Sequence, residues 1–504
     1  MRNTLSAALA IVAAACTGAP GAPDAAIEGD AAIEGDAAIE GDAGATDRCD
    51  GTATEPVLER VSDHGLPGCY FCALDTADFD GDGRIDVVVA GAFDSAFTSP
   101  DMAAYTLENR VRVYRNASSG TAIRFEMAFE AADARGGGGA LVDVGDFDGD
   151  DRPDFALQLR IDSSPESDTS AFLSRGGFAF DRVVVAPSDT NANSLGMVAT
   201  DVDRDGLDDL VLISDAAGEI PGLWYRSTGT AFEARQTDFT HQITYGGALA
   251  AGDLTGDGFP DIAVGGNAST PFGAYDCSRT LLYGQIHHNA GSAMPGFDPE
   301  PAAIVSDLAY GRPIGCDDGM DNAGMLIVDV DRDGRNDVVL AGSTPLFGPE
   351  GMNATHYDFG VLFNEGDGRS FAIWQHAGPQ LPGGETNAGS GNVDAPNIAA
   401  GDLTGDCLPE IFVQGHHRDL AGEPGNYVFD SWLFLNLGGR AMREAAIDLP
   451  DTAEGGQAIA DFDGDGRLDL VYAGATLPFH TNGANGMDPN TAATLLAVLY
   501  RNAR

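Results

Sequence analysis

Nine residues, Asp78-Phe-Asp80-Gly-Asp82-Gly83-Arg84-Ile-Asp86, constrain this chain more than any other stretch. Carboxylates fall at positions 1, 3, 5 and 9, glycine stands at position 6, and the apolar run Val87-Val88-Val89 follows at once. Alternate carboxylates on a tight turn suit a hard cation that takes six to eight oxygens, with glycine where the backbone must turn sharply. One match means little in a chain of formal charge −51. Six more follow, at Asp146–Asp154, Asp201–Asp209, Asp253–Asp261, Asp329–Asp337, Asp402–Glu410 and Asp461–Asp469, with starts 52 to 76 residues apart. A constant core at unequal spacing is what a repeated supersecondary unit with variable loops produces.

Each unit reads alike. An apolar segment enters the loop (Met325-Leu-Ile-Val-Asp-Val330) and a strand-like run leaves it (Val338-Val-Leu340, Leu210-Val-Leu-Ile213, Ile411-Phe-Val413). A third run ends in Arg or Asn, as in Val111-Arg-Val-Tyr-Arg-Asn116, Leu223-Trp-Tyr-Arg226, Val361-Leu-Phe-Asn364 and Trp432-Leu-Phe-Leu-Asn436. A fourth carries Phe125, Phe178, Phe232, Phe297 or Phe371. Short strands and glycine-rich turns without helical periodicity make the chain all-β, and four strands in each of seven units predict a seven-bladed β-propeller. The last unit stops after its third strand, Leu495–Asn502, while a spare strand-like stretch, Glu55–Val61, precedes the first loop. The expectation is that this N-terminal strand completes blade seven, closing the ring and covering an exposed edge.

The ends of the chain give its address. Arg2 and the apolar stretch Leu5 to Ala15 read as a signal peptide over residues 1–15, too short for the ~20 apolar residues of a membrane span. Ala13-Ala14-Ala15-Cys16 has the form of a lipidation site at Cys16, although Ala13 stands where Leu is usual; ordinary cleavage near Ala15 is the alternative. Residues 16–48 carry Asp-Ala-Ala-Ile-Glu-Gly three times over, a disordered acidic tether that buries too little to offset its ordering entropy. Residues 49–504 form the propeller. The strong negative charge argues against nucleic acid, and leaves a membrane as partner only through the lipid anchor.

The loops, with the Ala-Gly turns that follow them (Val89-Ala-Gly-Ala92, Val339-Leu-Ala-Gly342, Tyr472-Ala-Gly-Ala475), resemble the FG-GAP/VCBS repeats of integrin α-subunit-like propellers and exported bacterial proteins. The resemblance implies up to seven structural Ca²⁺ ions, each held by side chains at positions 1, 3, 5 and 9 and the carbonyl at position 7. The ligands are then Asp78, Asp80, Asp82, Arg84 and Asp86; Asp146, Asp148, Asp150, Arg152 and Asp154; Asp201, Asp203, Asp205, Leu207 and Asp209; Asp253, Thr255, Asp257, Phe259 and Asp261. The remaining three sets are Asp329, Asp331, Asp333, Arg335 and Asp337; Asp402, Thr404, Asp406, Leu408 and Glu410; Asp461, Asp463, Asp465, Arg467 and Asp469. Oxygen donors without His or Cys disfavour zinc, and Mg²⁺ prefers water-rich octahedral sites. Loops one, three, five and seven are complete. Loop two has Asp151 at position 6, tolerable because Asp can adopt the left-handed conformation. Loop four has Thr255 at position 3, and loop six, with Thr404, Cys407 and Glu410, is expected to be weakest.

Function is expected on the opposite face, in long second-to-third-strand turns carrying Thr270-Pro271-Phe272, Thr344-Pro345-Leu-Phe347 and Leu477-Pro478-Phe479-His480. Phe93, Phe97 and Tyr105 in blade one, and His416, His417 and Tyr427 in blade six, belong to the same set. Aromatics among polar neighbours suit a glycan or a surface protein, although such insertions also simply cover apolar surface. A binding or adhesion module of the cell envelope or surface is the favoured reading. A polysaccharide-lyase-like enzyme and a structural component of an envelope complex are the alternatives. No nucleophile elbow, zinc helix or P-loop is present to nominate catalytic residues. With Cys16 set aside, six cysteines remain. Blade topology favours Cys277 with Cys316, leaving Cys69 with Cys72 as a small local loop, or a redox pair, and Cys49 with Cys407.

Overall fold

The computed structural model describes residues 55–93, 108–136, 139–160, 169–186, 194–214, 220–241, 245–268, 281–289, 291, 302–303, 321–348, 351–375, 398–418, 427–476 and 495–503. Among them every regular element is a β-strand, and the strands form seven antiparallel four-stranded sheets. Blade one runs Tyr70–Ala77, Asp86–Ala92, Glu108–Asn116 and Phe125–Gly136, each strand hydrogen-bonded to the next. The first strands of the other blades are Gly139–Gly145, Ser194–Thr200, Tyr245–Gly252, Asp321–Val328, Ile398–Gly401 and Ala453–Ala460. Consecutive first strands pack against one another, and the last packs back on Tyr70–Ala77, so the blades close a ring. The protein is a seven-bladed β-propeller.

Closure follows the expected route. In blade seven, Leu58–Arg60 pairs antiparallel with Leu495–Asn502, Leu58 opposite Asn502 and Arg60 opposite Tyr500. The backbone ladder extends past the strand through Val61 N to Leu499 O (2.8 Å) and Ala503 N to Val57 O (2.8 Å).

The second strand of each blade explains its own composition. Asp86–Ala92 and Asp469–Ala475 are buried at every residue, because blades stack on both faces of the strand. A strand covered on both faces reads as a continuous apolar run. The core is accordingly divided into seven clusters, one at each blade-to-blade seam. The seam between blades seven and one, for example, holds Val87, Val89, Phe462, Val471 and Leu499. Where inner strands cross most closely only glycine fits: a Cβ on Gly456 would lie 2.4 Å from Leu74 N of the next blade.

Several expectations about individual residues need correction. Phe178 lies in the turn before the fourth strand of blade two with φ 63°, and Phe180 opens that strand instead. His416 and His417 sit within the second strand of blade six, opposite Phe429 and Val428, because that strand runs on to Arg418. Thr344 to Phe347 likewise continue a long hairpin in blade five, with Phe347 opposite Met352. Phe93 packs against the blade seven–one core with the Arg112 guanidinium 4.2 Å above its ring, which is a covering role. Phe97, Tyr105, Pro271, Phe272, Phe297, Pro478, Phe479 and His480 lie outside the described residues.

Candidate metal centre

Each loop is held by carboxylates that accept hydrogen bonds from its own backbone. In loop one the Asp78 carboxylate accepts from the amides of Gly81 (2.9 Å), Asp82 (3.0 Å) and Gly83 (2.7 Å). Asp86, at position 9, accepts from Phe79 N at 3.0 Å through Oδ2 and from Asn116 N at 2.7 Å through Oδ1. One buried side chain thus ties the loop to the end of the third strand. Asp154, Asp209, Asp261, Asp337 and Asp469 make the same pair of contacts. In loop six the longer Glu410 does so too, at 2.8 Å to Leu403 N and 3.4 Å to Asn436 N.

The turn needs left-handed backbone at two places. At position 6 the glycines have φ between 81° and 85°, while Asp151 and Cys407 adopt 59° and 70°. Asp151 therefore takes the conformation expected of it. Position 4 is left-handed as well, at Gly81, Gly149, Gly256, Gly405 and Gly464, and also at Arg204 (57°) and Arg332 (56°). Glycine at position 4 in five loops is the sequence signal for this second turn.

Five loops bring three carboxylates within 4.8 Å of one another, which is room for a metal ion: Asp78, Asp80 and Asp86; Asp146, Asp148 and Asp154; Asp201, Asp203 and Asp209; Asp329, Asp331 and Asp333; Asp461, Asp463 and Asp465. Loops four and six form no such triad among the described residues, since Thr255 and Thr404 take position 3. The fit to a metal rests on unused oxygens. Oδ1 of Asp148, Asp203 and Asp331, all at position 3, is buried without a hydrogen-bond partner. An anionic oxygen in that state is costly unless a cation meets it.

Electrostatics say the same of position 9. Burial, reinforced by neighbouring carboxylates, pushes Asp86, Asp154, Asp337 and Asp469 up to about 7, and Asp209 and Glu410 up to about 8, against the hydrogen bonds that favour ionisation. Packing several carboxylates together raises the cost of charging each, and a bound cation removes that cost. At position 7 the side chains of Arg84, Arg152 and Arg335 fold back onto Asp82, Asp150 and Asp333, and Arg467 lies 3.7 Å from Asp465.

Other functional residues came only from the fold. The third-strand terminal asparagines cross the seams: Asn116 Nδ2 donates to Phe462 O (2.9 Å), Asn289 to Val202 O (2.9 Å), Asn364 to Leu254 O (2.6 Å), Asn436 to Val330 O (2.9 Å) and Asn502 to Leu403 O (2.7 Å). The acceptor is always position 2 of the preceding blade's loop. Ser227 reaches Phe147 O at 2.6 Å in the same way. The recurrent strand ending in Asn was the available signal. In blade four, His288 is 5% exposed with Nδ1 3.4 Å from Asp261 Oδ1, so an imidazole borders a loop that has no histidine of its own.

Cys69 and Cys72 form a disulfide and are buried, which favours the local loop over an accessible redox pair. Cys407 is also disulfide-bonded. Cys16, Cys49, Cys277 and Cys316 lie outside the described residues.

Fold and loops together define a repeat β-propeller whose first-to-second-strand turns can hold metal ions. A family model described as an FG-GAP-like repeat matches residues 78–157 and 201–264, which contain loops one to four. In those residues the chain carries FG-GAP-like repeats, set in a seven-bladed β-propeller. No curated protein matches it. Similar solved structures include the V. cholerae biofilm matrix protein Bap1 (11% identity, 90% of this chain and 91% of that chain, TM-score 0.35) and Penicillium chrysogenum alpha-L-arabinanase (12%, 90% and 97%, 0.37). Polysaccharide lyase Uly1 is another (9%, 88% and 91%, 0.38). Likeness of this size carries no argument about function.

Proposed function

We propose that the chain is a calcium-stabilised binding or adhesion module of the cell envelope or surface, exported and lipid-anchored through Cys16, with a glycan or protein ligand on the face opposite the metal loops. The observation that carries the calcium reading is the set of buried, unpartnered oxygens on Asp148, Asp203 and Asp331, at the same position of three acidic loops. All-oxygen donor sets of this kind match a hard divalent ion. Bound calcium supplies countercharge. The protein's own contribution is to hold position 1 on two or three backbone amides and position 9 on two, so that little reorganisation accompanies binding.

A site filled to 100 times its dissociation constant stabilises the fold by about 2.7 kcal/mol, and several such sites exceed the margin of an ordinary domain. With excess EDTA the melting temperature should therefore fall by ten degrees or more and return with added Ca²⁺; an unchanged melt sinks the calcium reading. The ligand half is tested on arrays of glycans and surface proteins, with calcium present and absent. Retention without turnover supports the module. Unsaturated products from acidic polysaccharides, followed by ultraviolet absorbance, would replace it with a lyase.

A further inference from the structure

Five loops carry aspartate at position 3, and in four of them an arginine holds that residue's outer oxygen. Arg175 Nη1 donates to Asp148 Oδ2 at 2.6 Å and Arg440 Nε to Asp331 Oδ2 at 2.7 Å; Arg226 Nε and Arg501 Nε bond Asp203 Oδ2 and Asp463 Oδ2. In loop one Arg115, at the strand position matching Arg226 and Arg501, acts on Asp80 through its charge. These arginines reach the same oxygen from three different places. Arg226 and Arg501 precede the terminal Ser or Asn of their own third strand, Arg175 follows it, and Arg440 comes from the turn of the next blade. Shared repeat ancestry cannot place one contact at three sequence positions, so the contact itself is what recurs.

The two exceptions share a second change. Loops four and six have threonine at position 3, and His288 and Leu435 stand at the place of Arg226. Aspartate with arginine carries no net charge, and neither does threonine alone. The ligand positions of loops three and four, with Arg226 included, therefore carry the same formal charge, although Arg226 Nη2 also bonds Asp205 at position 5 of loop three, as Arg501 Nη2 bonds Asp465 in loop seven at 2.7 Å.

We infer that Arg175, Arg226, Arg440 and Arg501 are positioning residues for cation binding, and that Asp-plus-Arg is exchangeable with Thr as a unit. An arginine on Oδ2 fixes the carboxylate plane, so Oδ1 is turned inward before the ion arrives, which is where Asp148, Asp203 and Asp331 leave it unpartnered. Without the aspartate, Arg226 keeps only its bond to Asp205 and otherwise adds a positive charge that repels the ion. The cost of deleting the arginine should therefore shrink or change sign when position 3 is threonine.

Loop three has a built-in reporter, because Trp224 Nε1 donates to Asp209 Oδ2 at 2.9 Å. The inference rests on the calcium reading, and the test separates the two. Terbium is titrated into the metal-free full chain with tryptophan excitation, and calcium is used to displace it. Arg226→Ala should weaken this site about tenfold or more, the usual cost of losing an outer-shell partner, and Arg226→Lys should recover part. In an Asp203→Thr background, where Arg226 keeps only Asp205, Arg226→Ala should cost much less than in the parent or tighten binding. Melts in EDTA should show Arg226→Ala destabilised and Asp203→Thr/Arg226→Ala restored close to the parent. Unchanged or tighter binding in the Arg226→Ala single variant, or equal losses in both backgrounds, overturns the positioning role. A parent chain that neither sensitises terbium nor binds calcium overturns the calcium reading and the inference with it.

Discussion

The seam between blades seven and one and the seam between blades one and two meet the same requirement by different chemistry. Both must cover the polar backbone of one blade with side chains of another. Between seven and one a neutral amide does so: Asn116 Nδ2 donates to Phe462 O and to Ile85 O, each at 2.9 Å, above an edge-to-face contact of Phe125 with Phe462. Between one and two the visible crossing is made by carboxyl groups. Asp75 Oδ2 accepts from Val144 N at 2.8 Å, and the adjacent Asp143 carries the pattern on to Ala199 N at 2.7 Å in blade three. Ser174 stands where Asn116 does, and Phe79, Phe129, Phe155, Phe172 and Phe180 pack together in this seam. Neutral donors give a seam indifferent to pH. Paired carboxyls do not, since burial raises both Asp75 and Asp143 above the ordinary carboxylate range.

The largest test strikes the aromatic seam. Phe155 is fully buried and stacks on Phe172 at 4.7 Å, so Phe155→Ala should cost about 3–5 kcal/mol in denaturant unfolding. A loss below about 1 kcal/mol would mean the cluster is loosely packed and the contrast with the amide seams misplaced. Next comes the amide latch. Asn364→Ala leaves Leu254 O and Asn336 O without their donor, and should cost about 2–3 kcal/mol, equally at pH 5 and pH 8.

The carboxyl seam should respond to pH. Burial raises Asp75 to about 6 and also raises Asp143, so the protonated forms are favoured by folding. The stability this contributes is complete below about pH 4 and lost as pH rises through about 6. Asp75→Asn keeps an acceptor for Val144 N and has no charge to desolvate. Relative to the parent it should gain about 1–2 kcal/mol between pH 4 and pH 7 in calcium, read as a widening difference in melting temperature. Parallel profiles would remove the carboxyls from the account. The smallest expected effect is Ser174→Asn, which supplies blade two with the latch of blade one and should stabilise by about 1 kcal/mol or less; a net loss would show that the aromatic cluster leaves no room for it.

Much of the fold was legible because its signals are short. The nine-residue loop carries its own turn, its own hydrogen bonds and the start of a buried strand, so seven copies count the blades. The missing last strand and the spare Glu55–Val61 stretch were complementary on the page, and Leu58–Arg60 fills the gap. Residues misplaced by sequence reading, such as His416 and Phe347, sit where a strand simply ran longer than its apolar run, a length that backbone pairing sets. Asp80, Asp148, Asp203, Asp331 and Asp463 could be named as candidate ligands from local spacing. Which of their oxygens faces inward could not.

The sequence by itself therefore determined the repeat, its number, the acidic loops and the strand that closes the ring, all of which are written within a few residues or at the two ends. Tertiary structure decided what crosses from blade to blade. Asn116 bonds a carbonyl 346 residues away, Arg440 holds an aspartate 109 residues before it, and His288 reaches a loop that lacks histidine. The reason is physical: a loop's hydrogen bonds close within its own turn, whereas a contact between blades exists only once the ring has set their spacing, and no local pattern encodes that distance.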